Sequence, residues 1–361
     1  MENIERKIIV IIPVYNCKNF LREAVLSVLN QNYRRIEILL VDDGSTDGSS
    51  TLCDKLADDN SRIHVIHQKN SGVSSARNSG IEYVLSLCKE NEDLVYIAFL
   101  DADDAWMPDF FDTSIRELMM SKYDLIGFQS CLCDNNLTRR TEPIVLKNGE
   151  YTGGNSSVWL HGTQSFGAML YRASFISQYR IRFQLLKYSE DKIFSMQCLY
   201  LADKIYLMNR LLYLYRYRQN NTSAMSRRTR GISYYSPIIA AYLQLDQDMS
   251  IWKNSVRGEL HEGTILARIY LIDMIEEHFE FGGNKKQLES FFERHPKYYK
   301  ILESKIGGKQ VTDRWNNIVD HPFSCIFKIR IKSLLYKVFR VCYRIGVVQK
   351  HIEKVRYPVK L

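Results

Sequence analysis

The feature that most constrains the fold is an alternation in the first hundred residues. Short runs rich in β-branched residues alternate with longer segments that carry one apolar helical face. Ile8–Ile12 is unbroken β-branched sequence, the pattern of a parallel strand covered on both faces. Phe20–Leu29 follows, with Leu21, Val25, Val28 and Leu29 on one side of a helix. Ile36–Val41, Ile63–Ile66 and Leu94–Leu100 repeat the strand signal, and Ser49–Ala57 and Ser74–Leu87 place helices between them. Right-handed crossovers joining such units predict an α/β fold with a mostly parallel sheet.

Ligands of such sheets gather at the carboxyl ends of the strands, and the polar clusters of this chain fall there. Pro13-Val14-Tyr15-Asn16 follows the first strand, Asp42-Asp43-Gly44-Ser45 the second, and Asp101-Ala102-Asp103-Asp104 the fourth. The three acids of the last cluster repel one another unless a cation sits among them. Asp101 and Asp103, two apart in an extended segment, point the same way, with Asp104 offset. Oxygen-only ligands suit Mg²⁺ or Mn²⁺. A polar loop capping a helix that begins near Pro108 accounts for the same residues without a metal. Asp42 to Asp47 is turn chemistry leading into a helix capped by Asp47 or Ser49, although a carboxylate there can also accept from a base or from ribose hydroxyls. Arg77 lies one turn into a helix with Ser74 at its start, where phosphate or carboxylate is well placed. Glu190-Asp191 opens a later helix, a position the helix dipole favours for acids on structural grounds alone.

In this order and spacing the segments resemble family-2 glycosyltransferases of the GT-A fold. The resemblance covers about residues 7–220. It rests on Pro13-Val14-Tyr15-Asn16, Val41 to Asp47, Asn70-x-Gly72 through Ala76-Arg77-Asn78-x-Gly80, Leu100 to Asp104, and Glu190-Asp191. It is nearest in character to the non-processive enzymes that build bacterial capsule, exopolysaccharide or lipopolysaccharide. The resemblance implies that Pro13, Tyr15 and Asp43 line a nucleotide-base pocket, usually for uracil, and that Arg77 lies near the donor. It implies that Asp101 and Asp103 are the Asp-x-Asp pair serving ribose and a metal-bound diphosphate, with Asp103 the direct metal ligand and Asp104 its rival. Asp191, with Glu190 as alternate, matches the catalytic base of an inverting displacement. Arg216 and Arg218, in Tyr213-x-Tyr215-Arg216-x-Arg218, match the segment leading to a mobile loop over the diphosphate. The implied donor is a nucleotide-sugar, most often a UDP-sugar, and the implied cofactor a divalent cation, Mn²⁺ or Mg²⁺. The acceptor is a saccharide or lipid-linked saccharide. A catalytically silent nucleotide-sugar-binding partner of another transferase is the alternative, against which the intact acids argue. A dinucleotide-binding oxidoreductase is disfavoured because no glycine-rich turn follows the first strand.

The expected organisation is a catalytic domain over residues 1–220 and a mainly helical region over residues 221–361. Net charge is +8. Pro322–Leu361 holds ten basic residues against Glu353 alone, a balance of +9 that leaves the remainder at −1. Phe327, Ile331, Leu334, Leu335, Val338, Val341, Cys342 and Ile345 share one helical face there, with Lys332, Lys337, Arg340 and Arg344 mostly away from it. That pattern suits a helix lying on an anionic membrane surface, and equally one packed on the domain with its basic side in water. The eight cysteines show no metal-ligand spacing and read as buried thiols. Without a signal-like N-terminus or a membrane-length apolar stretch, the expected location is cytoplasmic, peripheral on the inner face of the plasma membrane. No motif supports nucleic-acid binding. Donor sugar, acceptor, linkage and oligomeric state have no readable code.

Overall fold

The structure, a computed structural model, describes residues 6–88, 94–139, 141, 148–153, 166–186, 189–217, 232–252, 267–268, 271–276, 278, 285–304, 312–313 and 315–316. Its first four strands are β1 (Lys7–Val14), β2 (Ile36–Asp42), β3 (Ile63–His67) and β4 (Val95–Phe99). They lie in the order β3-β2-β1-β4 and are parallel throughout. Val10 of the central strand pairs with Ile38 on one side and Ala98 on the other. Ile8 to Ile12 are buried on both faces, which is why their run is continuous rather than alternating.

The crossover helices are α1 (Lys18–Leu29), α2 (Ser49–Asp59) and α3 (Val73–Cys88). Leu21, Ala24, Val25 and Val28 form the buried stripe of α1. Helix α3 approaches β1 so closely that a Cβ at Gly80 would lie 2.5 Å from Ile11 Cγ2, so glycine is required there. Asp47 joins two helix starts. Its Oδ1 accepts from the Ser49 N–H at 2.9 Å, and its Oδ2 from the Lys18 N–H at 3.1 Å.

Beyond β4 the sheet becomes mixed. β5 (Ala105–Trp106), β6 (Leu125–Cys133), β7 (Gly149–Tyr151), β8 (Met169–Arg172) and β9 (Ile205–Arg216) complete a nine-stranded sheet of order β3-β2-β1-β4-β8-β6-β9-β5, with β7 also on β9. β8 runs antiparallel to both β4 and β6, whereas β6 and β9 are parallel. The helices of this half are α4 (Thr113–Met120), α5 (Ala173–Gln178) and α6 (Glu190–Leu201). Two details depart from the sequence reading. The helix expected near Pro108 starts at Thr113, where Asp112 accepts the Ile115 N–H at 3.2 Å. Gly149–Tyr151, which carries no strand signal in the sequence, pairs with β9.

The chain divides into two compact units, Met1–Met225 with Gln247–Glu259, and Ser226–Asp246 with Leu260–Leu361. The helices beyond the sheet are α7 (Ile232–Trp252), α8 (Lys285–Arg294) and α9 (Pro296–Glu303). Tyr235, Ile238, Ile239, Tyr242 and Leu245 make the buried side of α7. The basic segment 322–361 and Arg218 lie outside the described residues. No described helix is long and apolar enough to cross a membrane.

Candidate active site

The carboxyl ends of β2, β1 and β4 lie side by side, and their loops are tied to one another by side chains. Pro13 is buried at the end of β1, paired with Val41, and Tyr15 beyond it is 53% exposed. Asn16, at φ 50°, accepts the Thr46 N–H at 2.8 Å through its side chain, while its own N–H reaches Ser45 Oγ at 3.1 Å. A short polar side chain is what the left-handed region tolerates best outside glycine.

Asp42 and Asp43 are both buried, and they do different work. Asp42 Oδ1 accepts the Ser45 N–H at 3.1 Å, and Oδ2 meets His67 Nδ1 at 3.0 Å. Burial alone would raise its pKa, but the Ser45 and His67 hydrogen bonds outweigh it and the carboxyl is lowered. Asp43 shapes the next loop. Its Oδ1 takes Gln68 Nε2 at 2.7 Å and the Ser71 N–H at 2.9 Å, and its Oδ2 takes the Gly72 N–H at 2.9 Å. Gly72 has φ +90°, a conformation that favours glycine, and α3 begins directly after it. Ser74, read as the helix cap, lies inside α3 instead, and the Ala76 N–H bonds to the Gly72 carbonyl.

One turn into α3, Arg77 is the hub. Only 3% exposed, it donates from Nη2 to Asp101 Oδ1 at 2.7 Å and from Nη1 to Glu190 Oε1 at 3.2 Å. Its guanidinium sits 4.1 Å from the Phe166 ring centroid and 5.1 Å from that of Phe183. Burial favours the neutral form, but Asp101 and Glu190 overcome it and hold the guanidinium charged. A single cation thus joins the loop after β4 to the first turn of α6.

The acidic loop is a turn, not the extended segment its spacing suggested, because the Asp104 N–H closes on the Asp101 carbonyl at 2.9 Å. Asp101 and Asp103 remain partly exposed, while Ala102 and Asp104 are buried. Asp104 turns inward. It accepts Tyr213 Oη at 2.6 Å and the Arg216 N–H at 2.7 Å. Desolvation, then the charges of Asp103 and Asp101, push its carboxyl well above the usual range. These contacts direct the Asp104 carboxylate toward β9, whereas Asp103 is partly exposed. Asp101 and Asp103 offer a hard, oxygen-only donor set with room for water and phosphate oxygens, which fits Mg²⁺ or Mn²⁺. Among the described residues no group of three or more His, Cys, Asp or Glu forms a closed metal cage.

Arg216 is buried beside the acidic loop. At the end of β9 it is 2% exposed, and it donates to the Asp103 carbonyl from Nε at 2.6 Å, to the Asn135 carbonyl, and to Glu23. In this position it braces the acidic loop.

At the start of α6, Ser189 has φ 62°, a strained left-handed residue directly before the acids. Desolvation raises Glu190, helped by the charge of Asp191 and opposed by Arg77, to about 7. Asp191 is raised too, by desolvation first, with Arg77 opposing. The helix is seated by aromatic packing, with Phe194 stacked on Phe183 at 3.8 Å between centroids. Asn78 holds Phe183 in turn by a double hydrogen bond to its backbone, with both distances 2.8 Å. Phe166, Phe183 and Gln68 had no assigned role in the sequence reading, since supporting aromatics and amides carry no motif of their own.

The sequence profile described as Glycosyl transferase family 2 matches residues 9–180, the span that holds β1 to β4 and their polar loops. That match to glycosyl transferase family 2 covers just under half of the chain. Among relatives, glycosyltransferase GlyA of Streptococcus pneumoniae is 32% identical over 61% of this chain and 32% of its own length. EpsJ of Bacillus subtilis, an uncharacterized glycosyltransferase, is 28% identical over 65% of this chain and 66% of its own. The chain therefore spans about a third of GlyA and just under two thirds of EpsJ. The minor teichoic acid biosynthesis protein GgaA of Bacillus subtilis is 29% identical over 60% of this chain and 49% of its own length. Among solved structures, S. aureus TarS 1-349 in complex with UDP-GlcNAc matches with a TM-score of 0.60 at 18% identity, over 94% of this chain and 92% of that one. The fold is of the GT-A type, a mixed sheet with a parallel half, followed by a helical C-terminal part.

Proposed function

We propose that this protein is an inverting, metal-dependent glycosyltransferase in bacterial surface polysaccharide synthesis, moving a sugar from a UDP-sugar to the hydroxyl of a lipid-linked saccharide. The observation that carries the reading is the Arg77 bridge, which ties a partly exposed Asp101, beside Asp103, to the acids opening α6. Donor-side and acceptor-side carboxylates are thereby fixed relative to one another. Support for the donor comes from TarS, a structural neighbour seen with UDP-GlcNAc, and for the pathway from GgaA, named for teichoic acid synthesis.

In this reading Tyr15 and Asp43 border the nucleotide base, and Asp101 and Asp103 hold the divalent cation. The chemistry that cation supplies is neutralisation of charge on the departing diphosphate. Asp191 takes the proton of the acceptor hydroxyl as that oxygen attacks the anomeric carbon, and the sugar–diphosphate bond breaks on the opposite face. A carboxylate whose pKa is raised by burial is a stronger base when ionised, which suits Asp191 to this step. Glu190, tied to Arg77, orients the helix start. The basic segment 322–361 brings the enzyme to the anionic inner face of the plasma membrane, where a lipid-linked acceptor resides.

The test is nucleotide release from a panel of UDP-, GDP-, CDP- and dTDP-sugars, with Mn²⁺ or with EDTA, on the parent, Asp103→Asn and Asp191→Asn. Release from one donor that needs the metal and Asp103 is the expected result. Asp191→Asn is expected to bind that donor with parent affinity and fail to turn it over. Absence of both turnover and metal-dependent nucleotide binding would favour a silent binding partner instead.

A further inference from the structure

The amino end of the sheet, opposite the site described above, borders a half-open cavity of about 430 Å³ lined by Arg6, Tyr33, Thr113, Arg116, Glu117, Met119, Met120 and Ser121. Arg6 immediately precedes β1 and is only 7% exposed. Its carbonyl accepts from the Tyr33 hydroxyl, yet its buried Nε has no hydrogen-bond partner, and no described carboxylate pairs with its guanidinium. A buried polar atom left without a partner is costly, and no described ion pair offsets the charge of this guanidinium. Arg116 stands in the same wall. It donates from Nε to the Phe111 carbonyl at 3.2 Å and from Nη2 to the Asn32 carbonyl, with its guanidinium 5.2 Å from the Tyr33 ring centroid. These bonds fix its plane without neutralising its charge. Glu117 lines the cavity but forms no ion pair with either arginine. Buried Met119 and the ring of Tyr33, itself stacked on Phe111 at 5.2 Å, make the apolar part of the wall.

We propose that this cavity is a second ligand site, one that takes a small oxyanion through Arg6 and Arg116. Two guanidinium groups line the same cavity, one of them pinned by backbone carbonyls, and a guanidinium suits the forked geometry of phosphate and carboxylate groups. The volume is that of a small-molecule site, and the methionine and tyrosine walls accept an apolar body behind the anionic head. The shared chemistry is the oxyanion, and phosphate and an aliphatic carboxylate are the two sources to separate.

The test uses the full chain, titrated by calorimetry with inorganic phosphate and, separately, with succinate, each against sodium chloride of equal ionic strength. Arg6→Met, Arg116→Gln and Asp103→Asn are run beside the parent. Binding above the chloride control is expected for the parent and unchanged for Asp103→Asn, which lies at the other end of the sheet. Arg6→Met is expected to weaken it at least about tenfold, equivalent to about 1.4 kcal/mol. Arg116→Gln should weaken it in the same direction, and it decides the matter if Arg6→Met fails to fold. A stronger response to phosphate or to succinate names the source. Binding no greater than chloride, or equal in parent and both arginine variants, overturns the proposal, as does binding lost only in Asp103→Asn.

Discussion

Arg77 is charged, enclosed and shared by carboxylates on two different elements, so substitutions there separate charge from geometry. Lysine keeps the charge, but one ammonium cannot reach Asp101 and Glu190 with the fork a guanidinium supplies. Arg77→Lys is expected to fold and to lose about 10²-fold in turnover, the usual scale for misplaced reacting groups. Steady-state nucleotide release checks this, and parent-like turnover would show that the bridge does not position the acids. Alanine should do more harm, because it leaves Glu190 and Asp191 enclosed without their cation, a loss of about 3–5 kcal/mol in stability. Glu190 also carries a pH signature. Its folded pKa, about 7, is raised above the ordinary 4.5, so the folded state holds the proton more tightly. Its contribution is most favourable below the unfolded pKa and is lost as pH rises through about 7. Thermal midpoints from pH 5 to 8 should therefore fall less steeply in Glu190→Gln than in the parent, and equal slopes would place the titration elsewhere.

The elements behind these residues differ in how visible they were beforehand. β1 to β4 and their helices were legible because buried parallel strands are continuous in β-branched residues, and their polar loops fall where such strands end. The second half of the sheet was harder to read. β8 is four residues long, β5 two, and neither contains a period that separates strand from loop. Burial was the other hidden quantity. Arg216 and Asp104 have the chemistry of ligands, and only tertiary packing shows that they also meet Glu23, Asn135 and Tyr213. The segment that seats α6 was hidden for the same reason, since Asn78 and Phe183 meet across 105 positions of sequence. Asn78→Ala removes both hydrogen bonds to the Phe183 backbone and strands its buried polar groups, a cost of about 1–3 kcal/mol for each such group. Because Phe183 stacks on Phe194 of α6 and on the Arg77 guanidinium, turnover should fall further than donor affinity does. A fall in donor affinity alone would detach this segment from the catalytic helix.

For the whole molecule the dominant fact is the division of charge, with a segment of +9 following a body close to neutral. Each basic residue near an anionic surface contributes about 1 kcal/mol of attraction, and the field decays over about 8 Å at physiological salt. If membrane recruitment is electrostatic, it should require both acidic lipid and low ionic strength, whereas a helix packed on its own domain would be indifferent to either. Replacing Lys332, Lys337, Arg340 and Arg344 together by glutamine removes four charges while leaving the apolar positions Phe327, Ile331, Leu334, Leu335 and Val338 in place. The parent is expected to sediment with phosphatidylglycerol vesicles, to stay in solution with phosphatidylcholine, and to be released as salt rises. The four-glutamine chain should remain in solution with both lipids and keep its nucleotide release from the donor in the presence of a water-soluble acceptor, because Asp101, Asp103 and Asp191 are untouched. Unchanged sedimentation with a lower unfolding midpoint would mean instead that these charges serve packing, and that the lipid-linked acceptor is reached by another surface.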